Sequence, residues 1–349
     1  MKRAMKRALR FALLALVASM AACMHTAPFR AEDGTPVPGS VASMEHVRLG
    51  GVEQSVWFRG LNRHDPVLIL LHGGPGASES ALFRHFDAAL ERYFVVVYWE
   101  QRGTGRSFHA DMNCESLTIE RLLGDLDELV DRLRDRFGHR KVVLLAHSWG
   151  TALGTLYAQR HPDKVAAYVG TGQITNKRED DRVGYRYALA QARSRDDARA
   201  IAQLEAIDIA QPSVDDLFEL GRLIERFGGS FHADLSTGRL MLAALSTDEA
   251  ELRDLVLFGR GNRFSHECLI DEFLDVDLTR ERRFDVPVFF LLGRYDQVTS
   301  STLAQAWFEQ IDAPVKRLVW FEHSAHNPPF EEPAAFDRVL VEQVRPLAR

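Results

Sequence analysis

Short, continuous apolar runs punctuate the chain at residues 67–71, 94–98, 141–145, 165–169, 286–292 and 315–320, each bounded by Gly, Pro or charged residues. Runs of this length with no polar face read as strands buried on both sides of a parallel sheet. Helical periodicity fills the intervals at 117–137, 152–160, 303–311 and 333–344. From Glu45 a different texture, with Val47, Leu49, Val52, Val56 and Phe58 in near alternation, predicts half-buried strands ahead of the first run. Alternating strands and helices make an α/β open, mostly parallel sheet with helices on both faces the expected architecture. The alternation stops at residues 172–283, a helical stretch without a buried-strand run, which reads as a helical cap inserted into the sheet domain. The expected organisation is therefore a core at 45–171 and 284–349 interrupted by a cap at 172–283.

The first 22 residues are a separate matter. Lys2, Arg3, Lys6, Arg7 and Arg10 precede an apolar stretch from 11 to 22, too short for a hydrocarbon core that needs about 20 residues. A basic start, a short apolar core and small residues before a break describe an export signal. The segment ends Ser19-Met20-Ala21-Ala22-Cys23, which resembles a bacterial lipoprotein signal, with Met20 in place of the usual Leu. That resemblance implies that Cys23 is the lipidated first residue of an exported protein; plain secretion is the alternative. The Pro- and Gly-containing stretch 27–40 then reads as a tether within 23–44.

Composition narrows the partners. The 349 residues are 46% hydrophobic and 26% charged, ordinary for a globular protein. Net charge is −6 overall; from Cys23 onward 38 basic residues face 49 acidic ones, a net −11. Nucleic acid is not an expected partner of so acidic a chain. Three cysteines are too few for a disulfide scaffold, and pairing of Cys114 with Cys268 is left open.

The chemistry sits at the ends of the predicted strands. After 141–145 comes Ala146-His147-Ser148-Trp149-Gly150 and then a helix. A strand–turn–helix of this kind exposes a nucleophile on a sharp turn, with small neighbours so the backbone can bend. Ala146 replaces the usual first Gly. After 67–71 comes His72-Gly73-Gly74-Pro75-Gly76, a turn able to bring main-chain N–H groups to an oxyanion. Gly74 and Trp149 are the expected donors, Gly73 being the alternative to Gly74, and His72 reads as structural. A serine needs a base, and the base an orienting carboxylate. Asp296 follows the run 286–292, and His326 follows 315–320, in the order Ser, acid, His. His323 competes with His326, and Asp271, Asp275 and Asp277 with Asp296.

Together these residues resemble the α/β-hydrolase superfamily and, within it, the prolyl aminopeptidase (proline iminopeptidase) family of serine peptidases. The carrying segments are 72–76, Trp99-Glu100-Gln101-Arg102-Gly103-Thr104-Gly105-Arg106-Ser107, the Ser148 turn, 293–296 and the His326 loop; the cap is not matched. Glu100 stands where that family more often has Asp, and the stretch around it reads as architectural. The resemblance implies acyl transfer through Ser148, His326 and Asp296 without metal or organic cofactor, releasing an N-terminal residue, preferentially proline, from small peptides. It also implies a cap carboxylate that holds the substrate amine, for which Glu205, Asp208, Glu225, Glu267 and Asp271 all remain open. A carboxylesterase or lactone hydrolase on the same fold is the first alternative, and a ligand-binding protein without catalysis the second. Epoxide hydrolases and dehalogenases fit less well, since their nucleophile is an aspartate.

Overall fold

A computed structural model describes residues 25–232 and 234–348; the basic and apolar leader and Cys23 lie outside the described residues. Eight strands form one sheet in the order β1-β2-β4-β3-β5-β6-β7-β8. They are β1 (Val41–Leu49), β2 (Val52–Gly60), β3 (Val67–Leu71), β4 (Val95–Trp99), β5 (Val142–His147), β6 (Val165–Thr171), β7 (Val288–Gly293) and β8 (Lys316–Phe321). β2 runs antiparallel to β1 and β4, and every other pairing is parallel. All six apolar runs are strands, with ends displaced by one or two residues.

The runs lack a polar face because both sides of the sheet are covered. Val67, Ile69 and Leu71 of β3 belong to one apolar cluster, with Leu122, Leu126, Leu153 and Trp307. Leu68 and Leu70 face the other, with Phe83, Phe336 and Leu340. The helix Ile119–Phe137 shows the pattern behind such packing: Leu122, Leu126, Leu129, Leu133 and Phe137 recur at three to four residues on its buried face. Its start is fixed by the Thr118 side chain, which accepts from the Arg121 N–H, and its end by Gly138 at φ 72°.

Among the described residues five cap α-helices lie between β6 and β7, Lys177–Ser194, Ala198–Glu205, Val214–Arg226, Thr237–Leu245 and Leu252–Leu274. Three of them share a small core of Ala188, Ala192, Leu204, Leu220, Leu223 and Ile224. The cap is fastened to the sheet domain by Arg106, which grips Asp254 at 2.7 Å, and by a Cys114–Cys268 disulfide. Among the described residues no helix is long and apolar enough to cross a membrane.

The stretch read as a tether differs from that expectation, because much of it is attached. Thr26 is buried and hydrogen-bonds Arg59 and Glu249, and the Arg59 guanidinium lies 4.8 Å over the Phe29 ring. A buried guanidinium recruits the polar and aromatic groups within reach, and beside Glu91 these include Thr26, Ala27 and Phe29 of this segment.

Candidate active site

β5 delivers the chain into Ser148 at φ 52°, ψ −121°, and the helix Trp149–Arg160 starts at the next residue. Holding a serine there costs on the order of 1–3 kcal/mol. Surrounding hydrogen bonds enforce it: the Ser148 N–H donates to the Thr171 carbonyl at 3.0 Å, and the Ser148 carbonyl accepts from the Thr151 N–H at 2.8 Å and hydroxyl at 2.6 Å. Gly150 is required on close-packing grounds, since a Cβ there would lie 2.0 Å from the Leu71 carbonyl oxygen. The small residues around Ser148 thus let the helix start press against the end of β3.

Asp296 and His326, on the loops after β7 and β8, meet. His326 Nδ1 lies 2.9 Å from Asp296 Oδ2, and both residues are buried. Asp296 also accepts from the N–H groups of Val298 (2.8 Å) and Thr299 (3.0 Å) and from the Thr299 hydroxyl (2.9 Å). A carboxylate so surrounded makes Nδ1 the protonated nitrogen and leaves Nε2 with its lone pair. His326 and Ser148 line one cavity of about 260 Å³, together with Gly74. His323 is exposed, and its N–H donates to Glu332. Asp275 pairs with Arg178, Asp277 takes Thr279 and Arg280, and Asp271 is exposed, so these rival acids stand apart from His326.

The two glycine alternatives separate. The Gly73 N–H donates to Glu79 Oε2 at 2.8 Å and is occupied. Both glycines line the Ser148 cavity, so the occupied N–H of Gly73 is what distinguishes them, and the Trp149 N–H is among the first helical amides, which have no intrahelical acceptor. His72 is structural, as expected: Nδ1 faces the Gly73 carbonyl at 2.9 Å and Nε2 accepts the Gln101 N–H at 3.1 Å. The Gln101 amide then reaches both the His72 carbonyl and the Trp149 indole, tying the glycine turn to the Ser148 turn. Arg102 pairs internally with Asp125 at 2.8 Å, so the 99–107 stretch is architectural in this respect too.

Sequence reasoning missed Glu79. Its carboxylate receives His147 Nδ1 at 2.7 Å as well as the Gly73 N–H, while His147 Nε2 lies 3.0 Å from the backbone carbonyl of His326. Both ring nitrogens of His147 therefore face acceptors, which requires an imidazolium. Burial alone would lower the His147 pKa, but the Glu79 charge and hydrogen bond raise it above its ordinary value. Burial alone would raise Glu79, and His147 with the Gly73 N–H holds it below the usual carboxylate range. This ion pair links the glycine turn, the residue before Ser148 and the His326 loop. Thr299 was also missed, and nothing in the local sequence marks either residue.

The cavity wall is largely apolar, with Trp57, Leu82, Leu240, Met241, Phe258 and Phe330 among its residues. None of the five cap carboxylates expected to hold an amine lines it. Glu205 and Glu267 pair with Arg193 and Arg263 on the exposed side, Glu225 takes Thr237, Asp208 closes its own turn, and Asp271 is exposed. The carboxylates that do line it are Glu79, Glu100 and Asp254. Burial raises Glu100 to about 7, against the N–H and charge of Arg106 and the Ser78 hydroxyl. Among the described residues no group of three or more His, Cys, Asp or Glu side chains is placed to hold a metal ion.

Comparison with known proteins agrees with this architecture. The protein named Probable aminopeptidase YbaC of Bacillus subtilis is 30% identical over 317 residues, 89% of this chain and 98% of its own length. A proline iminopeptidase of Saccharolobus solfataricus is 27% identical over 296 residues, covering 81% of this chain and 85% of that protein. The crystal structure of a Mycobacterium smegmatis proline iminopeptidase superposes with a TM-score of 0.64 at 17% identity, covering 88% of this chain and 99% of that one, a likeness of fold. Residues 66–333 match the family described as the alpha/beta hydrolase fold, and with the strand order and strand-end loops above, the chain belongs to that family and resembles prolyl aminopeptidases.

Proposed function

We propose that the protein is a serine hydrolase that releases N-terminal residues, proline or similar ones, from small peptides. The observation that carries the acyl-transfer part is the strained Ser148 turn sharing a cavity with a His326 whose Nδ1 is held by Asp296. In this reading His326 Nε2 takes the Ser148 hydroxyl proton as the oxygen bonds the substrate carbonyl carbon. The oxyanion faces the N–H groups of Gly74 and Trp149. Collapse breaks the C–N bond, the imidazolium returning its proton to the leaving amine. Water, deprotonated by His326, then adds to the acyl-enzyme and Ser148 leaves as the restored hydroxyl. The apolar wall suits the residue being released. Glu100 receives its ammonium group, because Glu79 is committed to His147 and Asp254 to Arg106, whereas Glu100 takes only the neutral Ser78 hydroxyl and Arg106 N–H as hydrogen-bond donors.

One observation favours a second reading, a carboxylesterase or lactone hydrolase: the cavity is mainly apolar and none of the cap carboxylates first expected to bind an amine faces it. Turnover on paired prolyl and alanyl arylamides and short acyl esters separates the two. The peptidase reading expects arylamide cleavage that is lost when the amine is acylated and abolished in Ser148→Ala. Preference for esters regardless of the amine would replace it, and folded protein inert on the whole panel would leave only ligand binding. The proposal extends to location: the leader marks an exported protein carrying lipid on Cys23, which mass spectrometry of the mature N terminus tests.

A further inference from the structure

The chain enters the fold at the cap. Thr26 and Glu249 are buried against each other, with Arg59 between them and Glu91, and the Arg59 guanidinium also donates to the Ala27 carbonyl at 2.9 Å. Glu249 lies on the connection between the cap helices Thr237–Leu245 and Leu252–Leu274. Both helices line the Ser148 cavity, the first through Leu240 and Met241, the second through Leu255 and Phe258.

The same two helices carry most of the large apolar side chains left in solvent. Leu242 is 70% exposed, Leu252 78%, Val256 60% and Leu255 39%, and only Tyr93, Tyr295 and Leu347 join them among the described residues. Leu252, Leu255 and Val256 are spaced three and four apart, so they form one stripe on one helix face. Leu255 is exposed and lines the cavity, which places the stripe at the cavity rim.

The position of the anchor decides what covers this rim. Cys23 precedes Thr26 by three residues, at most about 11 Å of extended chain, and Leu252 follows Glu249 by the same count. A lipid on Cys23 therefore enters a bilayer within roughly 25 Å of the stripe, on a domain about 50 Å across. The buried Thr26 leaves no long spacer that would let the domain turn away. An anchored patch needs little affinity of its own, because the tether keeps it at high local concentration beside the membrane.

We infer that the stripe formed by Leu252, Leu255 and Val256 docks on the lipid bilayer that holds Cys23, so that the mouth of the Ser148 cavity opens at the membrane surface. This rests on the lipid anchor proposed above. The test uses the full chain, with Cys23 retained, reconstituted into phosphatidylethanolamine–phosphatidylglycerol vesicles. An environment-sensitive fluorophore is placed by Leu252→Cys, Val256→Cys or, as a control, Arg140→Cys, in the turn entering β5 at the opposite edge of the sheet from Ser148. Docking expects the labels at 252 and 256 to shift to the blue and to lose at least half their emission to bromine-labelled lipids, with the label at 140 unaffected. Vesicle flotation with unquenched labels at 252 and 256 overturns docking while leaving the anchor intact. Failure to float removes the anchor and the inference with it. A blue shift that grows with protein concentration and ignores brominated lipid assigns the rim to a second copy and also overturns it.

Discussion

Replacing Glu79 tests the buried ion pair beneath the site in a way that geometry alone does not. Glu79→Leu removes the acceptor of both the Gly73 N–H and His147 Nδ1. With the anion gone the buried His147 turns neutral, and the Gly73 N–H and His147 Nδ1 are left without partners, a loss of about 1–3 kcal/mol for each buried group. Glu79→Gln is gentler. Its carbonyl still accepts from Gly73, its amide donates to Nδ1 of a neutral His147, and His147 Nε2–H still serves the His326 carbonyl. Every group is paired, and only the charge assistance goes, about 1–2 kcal/mol. The pH dependence follows from the two shifts. Glu79, held below its ordinary value, contributes stability present above about pH 4.5 and lost as pH falls through its folded pKa. His147, held above its ordinary value, contributes stability that is complete below about pH 6.5 and lost as pH rises through its folded pKa. The pair is therefore strongest between those values. In Glu79→Gln the buried His147 stays neutral while the unfolded chain takes up a proton below about pH 6.5, so the variant weakens as the pH falls. Other ionisable groups beside it are His326, whose ring centre lies 5.0 Å from that of His147, Asp296, which favours the charged His147, and His72, which burial pushes toward the neutral form. Urea unfolding followed by tryptophan fluorescence at pH 5.5, 7 and 8.5 should show a gap between wild type and Glu79→Gln that widens toward pH 5.5. A gap that is constant, or largest at pH 8.5, would mean that His147 is neutral in the native protein and would refute the buried ion pair.

Asp296→Asn should keep the fold but lower kcat by about 10⁴-fold, because the orientation and tautomer of His326 depend on that carboxylate; steady-state kinetics beside circular dichroism checks it. Gly172→Ala places a Cβ 2.7 Å from His326 Cε1 at a backbone φ of 54°, so kcat should fall about 10²-fold with a lower Tm. Replacing Cys114 and Cys268 together by Ser frees a loop of 154 residues, worth up to about 5 kcal/mol in chain entropy, and the Tm of wild type should then fall on reduction while that of the variant does not. Glu100→Gln should raise KM for free-amine arylamides and leave esters unchanged. In wild type that KM should be lowest between about pH 7 and 8, where Glu100 is ionised and the substrate amine is still protonated.

The sheet was legible because the chain has to pack on both of its faces. A strand such as β3, with Val67, Ile69 and Leu71 on one side and Leu68 and Leu70 on the other, has nowhere to put a polar residue. Helix ends were less legible where packing overrode periodicity. The helix after Ser148 begins at Trp149, three residues before the 152–160 pattern, because Gly150 and Thr151 are buried by close approach and carry no apolar signal. The 333–344 pattern is divided, with an α-helix Pro333–Val339 followed by a wider turn Leu340–Val344. The cap carboxylates were unreadable for another reason. Whether Glu205 faces the cavity or Arg193 depends on how two helices lie together, which no spacing within either helix records.

The site divides along the same line. The proposed catalytic residues Ser148, Asp296 and His326 stand out in the sequence because parallel strands end at one edge, so the residues just past their ends converge wherever the chain places them. Glu79 obeys no such rule: it lies on no strand end, and its partner is 68 residues away. Yet a constraint was present in the residue before the serine. A histidine buried at the foot of a nucleophile turn must satisfy two ring nitrogens, and when both find acceptors it needs a negative charge nearby. His147 therefore demands a buried carboxylate, and the turn 73–79 is where the fold can bring one without disturbing a strand. It follows that positions 79 and 147 are one choice, not two: a neutral residue at 147 that no longer donates to Glu79 makes that carboxylate a liability, and Glu79→Gln should then stabilise the protein it weakens in the wild type.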